Sequence, residues 1–282
     1  MEFEQIKYEV NKQILTVTLN RPEKLNGFTP VMSNELKEAF NQADNDDEVR
    51  VVIVTGAGKA FCAGDDISSG GFEEILQSNK TLEEYRDIGG SVVLRIYDMK
   101  KPVIAAINGH AVGVGITMTL PMDVRILSDK SKVGFVFTRR GITLEACASW
   151  FLPRIVGITR ASEWVLTGRV FSAQEAYEGS LVSRVVPPED VLKTAQEIAR
   201  EIVDNTSSVS VALTRQLLWR MLGADHPMEA HKMDSRCVYY MAKSVDAKEG
   251  VESFLQKRTP AFKLKPSKDM PTFYPWWKDR AF

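Results

Sequence analysis

Apolar and polar positions follow two rhythms along the first half of the chain. Ile14 to Leu19 is an alternating β-branched run, while Val51 to Thr55 and Val103 to Asn108 are short apolar blocks bounded by turn or charged residues, so all three predict strands. Between the first two, Thr29-Pro30 spells an N-cap followed by proline at the first helical position. Leu36, Ala39, Phe40 and Ala43 then share one helical face. Ser68 to Asp87, with Gly70, Gly71 and many polar groups, predicts an irregular surface segment. Beyond it Ile88, Val92, Ile96 and Met99 predict a helix that leads through Lys101-Pro102 to the third strand. Strands alternating with helices predict an α/β layer architecture with crossover connections.

From about Ser172 the rhythm becomes helical. Ser172 with Glu175 reads as a capping box and Gly179 as a helix stop; Val191, Ala195, Ile198, Ala199 and Ile202 repeat at helical spacing. Asp246 with Glu249 reads as a second capping box, opening a helix through Phe254 and Leu255. After Pro260 comes a tail rich in aromatics and proline, Phe273-Tyr274-Pro275-Trp276-Trp277, whose apolar content suits an interface or a pocket cover.

Composition narrows the functional classes. A chain of 282 residues that is 44% hydrophobic and 26% charged has material for a sizeable core, and a formal net charge of -1 gives no global attraction to nucleic acid. Cys62, Cys147 and Cys237 are odd in number and lack the spacing of a disulfide framework or a metal site, which points to a reducing compartment. His110, His226 and His231 show neither metal spacing nor a Ser/His/Asp order. The first residues, MEFEQIKYEV, lack a signal-peptide apolar run, and no stretch approaches the roughly 20 apolar residues of a membrane span. A cytoplasmic protein without membrane or nucleic-acid partners is the expectation.

Two segments combine a strand end, glycines and a helix start: Gly56 to Asp66 and Asn108 to Met118. Neither binds a nucleotide by the usual motifs. Ile53 stands where a P-loop needs its first glycine and Ala60 follows Lys59, while Phe61 and Met118 break the two dinucleotide patterns. The glycines either permit tight turns or bring two backbone N–H groups to an oxyanion hole, helped by a helix dipole beginning near Val114.

Those two segments closely resemble the enoyl-CoA hydratase/isomerase, or crotonase, superfamily. The resemblance extends from about Ile14 to Phe262 through LNRPEKLNGF (Leu19 to Phe28), VTGAGKAFCAGDDI (Val54 to Ile67), KPVIAAINGHAVGVG (Lys101 to Gly115), the Asp123 region, VLTGRVFSAQEAYEGSLVSRVVP (Val165 to Pro187) and EGVESFLQKRTPAF (Glu249 to Phe262). It implies a crotonase-like (ClpP/crotonase) α/β spiral of ββα units over residues 1–200 and a C-terminal helical trimerisation region over 201–262. The aromatic tail occupies 263–282, and the assembly is a homotrimer or a hexamer built from two trimers. The ligand implied is an acyl-CoA thioester, with coenzyme A entering as part of the substrate and no separate cofactor or metal. The backbone N–H groups of Asp65 and Val114 align with the family's oxyanion donors. Lys24, Leu25 and Ala63 align with the loop that holds the adenine and pantetheine portions, Lys24 near a phosphate and Lys59 a weaker candidate. Asp66, Ile67 and Gly115 complete the expected binding segment, Asp66 bracing its loop.

The resemblance also defines the chemistry by a departure. The two glutamates with which the hydratases hold water align with Thr117 and Phe137, neither of them a carboxylate. Glu145 instead matches the acidic residue that double-bond isomerases of the family use as a single acid/base. One carboxylate can move a proton from the α to the γ carbon of a 3-enoyl thioester while two amides hold the dienolate. The apolar neighbours Leu144, Ala146, Ala148 and Trp150 would raise the pKa of a buried Glu145. Three alternatives stand beside this reading: hydration with Glu145 and Thr117 positioning the water, an acyl-CoA-binding protein without catalysis, and a Glu145 that merely opens a helix. Arg139 and Arg140 read as surface or interface residues, or as contacts to a polar acyl group.

Overall fold

The computed structural model describes residues 3–66 and 79–282. A hairpin of β1 (Ile6–Asn11) and β2 (Ile14–Leu19) is followed by α1 (Pro30–Asn45), which starts where Thr29 Oγ1 accepts a hydrogen bond from the Met32 N–H at 3.1 Å. Next come β3 (Val51–Gly56), β4 (Ala60–Cys62) and α2 (Ile88–Asp98), then β5 (Val103–Ile107), β6 (His110–Val112) and the single turn α3 (Val114–Thr117). β7 (Val124–Ser128) and β8 (Lys132–Gly134) precede α4 (Ala148–Val156) and α5 (Ile158–Thr167); β9 (Val170–Ser172), α6 (Ala173–Glu178) and β10 (Arg184–Val186) complete the sheets.

The strands form a six-stranded sheet in the order β1-β2-β3-β5-β7-β10 and a four-stranded sheet in the order β4-β6-β8-β9. Each pair in succession, β3 with β4, β5 with β6 and β7 with β8, contributes its first member to one sheet and its second to the other. Repeating that step with helical crossovers winds the chain into a spiral. Burial explains the apolar blocks: Val52, Val54 and Ala105 face the main core with α1 and α2, while Val51, Ile53, Ile104 and Ala106 face the opposite layer. α7 (Val191–Asn205) covers that layer with Val191, Ala195, Ala199 and Val203. A strand buried on both faces carries no alternation.

The remaining helices are α8 (Ser208–Met221), α9 (Pro227–Ala242) and α10 (Val245–Gln256). Asp123 ties α8 to the spiral: its carboxylate accepts hydrogen bonds from Arg215 Nε at 2.8 Å, Trp219 Nε1 at 2.7 Å and Val103 N–H at 2.8 Å. The tail packs on α8 and α9 of its own chain, where Leu264, Met270, Phe273, Tyr274 and Trp276 meet Val209, Leu213, Met233 and Cys237. The capping box expected at Asp246 is a correction. Ser244 caps α10 by accepting from the Ala247 N–H, and Asp246, two residues on and within the first turn, is buried and accepts from the Lys263 N–H at 2.7 Å. Glu249 faces away from the cap and pairs with Arg258. At Ser172 half of the box forms: its hydroxyl accepts from the Glu175 N–H at 3.2 Å, while the Glu175 carboxylate binds Arg169 and the Trp164 Nε1–H.

Candidate active site

Adjacent parallel strands bring the two glycine-rich turns together. Ala60 pairs with His110 and Cys62 with Ala111, so the turn after β4 and the turn after β6 leave the small sheet side by side. A Cβ on Gly113 would lie 3.7 Å from the Gly64 Cα, and one on Gly115 would overlap the Cys62 carbonyl, so only glycine lets α3 approach β4 this closely. The Phe28 N–H donates to the Gly64 carbonyl and the Asp66 N–H to the Phe28 carbonyl, both at 2.9 Å, which fixes the backbone on either side of Asp65. Among the described residues neither the Asp65 N–H nor the Val114 N–H has an acceptor. The helix behind Val114 is one turn long, so its dipole adds little to the N–H itself.

Glu145 meets this pair of turns from the far side. Its Oε1 accepts a short hydrogen bond from Thr117 Oγ1, and its Oε2 lies over Gly89, whose Cβ position would also touch Val114 Cγ2. As a residue Glu145 is half-buried, but its carboxyl is enclosed. Burial pushes it up to about 8, helped by the negative charges of Asp87 and Asp65 and opposed by the Thr117 hydroxyl. No helix opens at Glu145: α4 begins three residues later, at Ala148. Phe137, the other position aligned with a family glutamate, is buried in the main core. Asp65 is exposed as a residue, while partial burial of its carboxyl and the adjacent charge of Asp66 raise its pKa.

The other expected residues divide by place. Lys24, Leu25 and Ala63 are exposed and contiguous, the Ala63 N–H donating to the Leu25 carbonyl at 3.1 Å. Asp66 is buried and pairs with Arg21 at 2.8 Å, so it braces its loop across 45 residues. Gly115 lies buried against Cys62, and Ile67 falls outside the described residues. Lys59, Arg139 and Arg140 are exposed, with Arg139 Nε donating to the Thr167 carbonyl. His110 Nδ1 accepts from the Lys132 N–H, and His226 caps α9. All three cysteines are free. Among the described residues no group of three or more His, Cys, Asp or Glu side chains could hold a metal ion, and no helix is long and apolar enough to cross a membrane.

Asp87 carries no motif in the sequence. It caps α2 by accepting from the Gly89 and Gly90 N–H groups, and it also accepts from the Ala146 N–H at 2.6 Å. An aspartate just before Gly89-Gly90 and an apolar helical face is a legible cap; its reach to residue 146 is not. An open cleft of about 740 Å³ lies elsewhere, between Arg236, Tyr240, Lys243, Val245, Leu264 and Phe273. It holds no convergence of free amides and a raised-pKa acid, so polar geometry rather than volume selects the site around Glu145.

The family model for enoyl-CoA hydratase/isomerase matches residues 9–265, and the chain belongs to that family of enzymes. An enoyl-CoA hydratase of Alternaria alternata, ACTT3, is 42% identical over 250 residues, covering 88% of this chain and 82% of its own. The 1,2-epoxyphenylacetyl-CoA isomerase of Escherichia coli is 32% identical, covering 93% of this chain and 98% of its own. Among solved structures, a probable enoyl-CoA hydratase/isomerase from Mycobacterium abscessus superposes with a TM-score of 0.85 at 34% identity over 92% of this chain and 98% of that one. The fold is accordingly the crotonase-type α/β spiral with a helical C-terminal region.

Proposed function

We propose that this protein acts on an enoyl-CoA thioester, moving a proton with Glu145 while the backbone N–H groups of Asp65 and Val114 hold the enolate oxygen. The reaction the site supports best is a double-bond shift from the 3-enoyl to the 2-trans-enoyl thioester. The observation that carries it is the enclosed Glu145 carboxyl, raised to about 8, beside the Val114 turn, with a threonine and a core phenylalanine at the two positions where the hydratases place their glutamates. In this reaction Glu145, ionised, removes the α proton, the electron pair moves onto the thioester oxygen, and the same proton returns to the γ carbon. A base with a pKa near working pH both takes and returns it readily.

Lys24, Leu25 and Ala63 form the exposed rim that suits the coenzyme A arm, with Lys24 available to a phosphate. Coenzyme A belongs to the substrate, and the chemistry calls for no further cofactor. A trimeric or hexameric assembly in the cytoplasm is part of the same proposal, resting on the family resemblance and on exposed apolar side chains such as Leu218, Phe254 and Leu255.

A second reading is hydration of a 2-trans-enoyl-CoA. The Thr117 hydroxyl bonded to Glu145 favours it, since the two groups together could orient a water, and the Alternaria relatives are named hydratases. Purified protein given a 3-enoyl-CoA and, separately, crotonyl-CoA decides between them, with the conjugated thioester followed by absorbance and products by mass. Conjugated product from the 3-enoyl thioester, reduced about 10² to 10⁴-fold by Glu145→Gln, is the expected outcome. Hydration of crotonyl-CoA without isomerisation would overturn it. Tight binding of both thioesters with no turnover would instead mark a protein that has kept the fold without the chemistry.

A further inference from the structure

The turn that carries Glu145 is held in an unfavourable conformation. Ala146 and Cys147 both have φ of 52°, two successive non-glycine residues in the left-handed region, where the Cβ crowds the following carbonyl. The Ala146 N–H points at Asp87 Oδ2 at 2.6 Å, an acceptor 59 residues away that is itself fixed by the Gly89 and Gly90 N–H groups at 3.0 and 2.9 Å. One carboxylate therefore joins the start of α2 to the peptide that follows Glu145. Gly89, the first residue that Asp87 caps, is also the residue over which the Glu145 Oε2 lies.

We propose that Asp87 is a positioning residue for Glu145: it pins the strained 146–147 turn to the start of α2 and so holds the Glu145 carboxyl over Gly89, next to its own carboxylate. The inference deepens the reading of Glu145 as the acid/base and rests on it for its catalytic meaning. A plain helix cap would need only the Gly89 and Gly90 bonds. The third bond and the facing carboxyl are what a cap does not explain. The groups that face Glu145 are Asp87 and Thr117, with Asp65 on the turn after β4, and Tyr85, Cys62 and Cys147 feel its charge. Of the carboxylates, Asp87 has the larger effect on Glu145. Removing that charge lets Glu145 lose its proton at lower pH.

The test reads Glu145 directly in the full-length protein. With glutamate side-chain carboxyls labelled with carbon-13, the signal missing from Glu145→Gln is titrated in the wild type, in Asp87→Asn and in Asp87→Ser, the last keeping a good N-cap but no charge. The expected result in both variants is a Glu145 midpoint lower by about one unit or more, a tenfold or larger change in its protonated fraction at a given pH. The rising limb of kcat/KM with pH should move down with it. A midpoint that stays in place in a folded Asp87→Ser protein overturns the inference. A midpoint that moves while the kcat/KM limb does not supports Asp87's action on Glu145 and removes Glu145 from the chemistry. If neither variant folds, the wild type decides by labelled aspartate carboxyls: the Asp87 signal must shift at the Glu145 midpoint, and one that stays flat there refutes the pairing.

Discussion

Two carboxyl groups are fixed in this molecule in opposite ways. Asp123 receives a guanidinium, an indole N–H and a backbone N–H, and its partner Arg215 spends its remaining donors on the carbonyls of Ile96, Tyr97, Met99 and Pro121. Glu145 receives one hydroxyl, and among the described residues the charges that act on it most are the carboxylates of Asp87 and Asp65. The first arrangement satisfies every partner and joins α8 to the spiral. The second leaves a proton as the only means of relieving the repulsion, which is what an acid/base requires and a frame does not.

The largest effect on that comparison comes from Arg215→Met. Arg215 is 4% exposed, and its loss strands the Asp123 carboxylate and several buried carbonyls, so stability falls by about 3 to 5 kcal/mol in urea unfolding. Because the node lies in the frame, the pH profile of the folded variant should be that of the wild type. A loss under about 1 kcal/mol would show that packing alone holds α8, and the contrast between the two carboxyls would lose its structural half.

Gly89→Ala tests the other half. A Cβ there would collide with the Glu145 Oε2, the far end of a side chain that can swing, and would press on Ala146 Cβ at 3.2 Å and Val114 Cγ2 at 3.3 Å. Alanine favours the first turn of α2 by about 0.5 to 1 kcal/mol over glycine, so the melting temperature should hold or fall slightly. Displacing the carboxyl by an ångström should lower kcat about 10² fold. Unchanged activity in this variant would mean that the position of Glu145 over Gly89 has no bearing on turnover.

The frame was far more legible than the site. β3 and β5 announce themselves because burial on both faces demands apolar, β-branched runs, β2 because its one core face sets an alternation, and α1 and α7 because one buried face imposes helical spacing. Strands of three residues such as β4, β6 and β8 are too short for any period, and β1 alternates charges at a sheet edge where only Ile6 is buried. Pro153 lies inside α4, so no uninterrupted helical pattern marks that helix in the sequence. Asp65 and Val114 came from resemblance, since a free backbone N–H has no side-chain signature. The meeting of Asp87, Thr117 and Glu145 depends on how three crossovers stack, and no local spacing encodes it.

The smallest change with a defined sign is Thr117→Val. It keeps the volume of a residue that is fully buried and removes the hydrogen bond from Thr117 that favours ionised Glu145. A net bond of about 1 kcal/mol corresponds to somewhat less than one pH unit, so the rising limb of kcat/KM should move upward by about half a unit to one unit. The direction matters more than the size: it is opposite to that expected for Asp87→Ser, because one neighbour stabilises the charge and the other the proton. A downward shift in Thr117→Val would mean that the hydroxyl accepts from a protonated Glu145 instead of donating to it. If hydration rather than isomerisation is the reaction, the same substitution should also remove most turnover of crotonyl-CoA while leaving any double-bond shift within a few fold of the wild type at high pH, since only the water then depends on the hydroxyl.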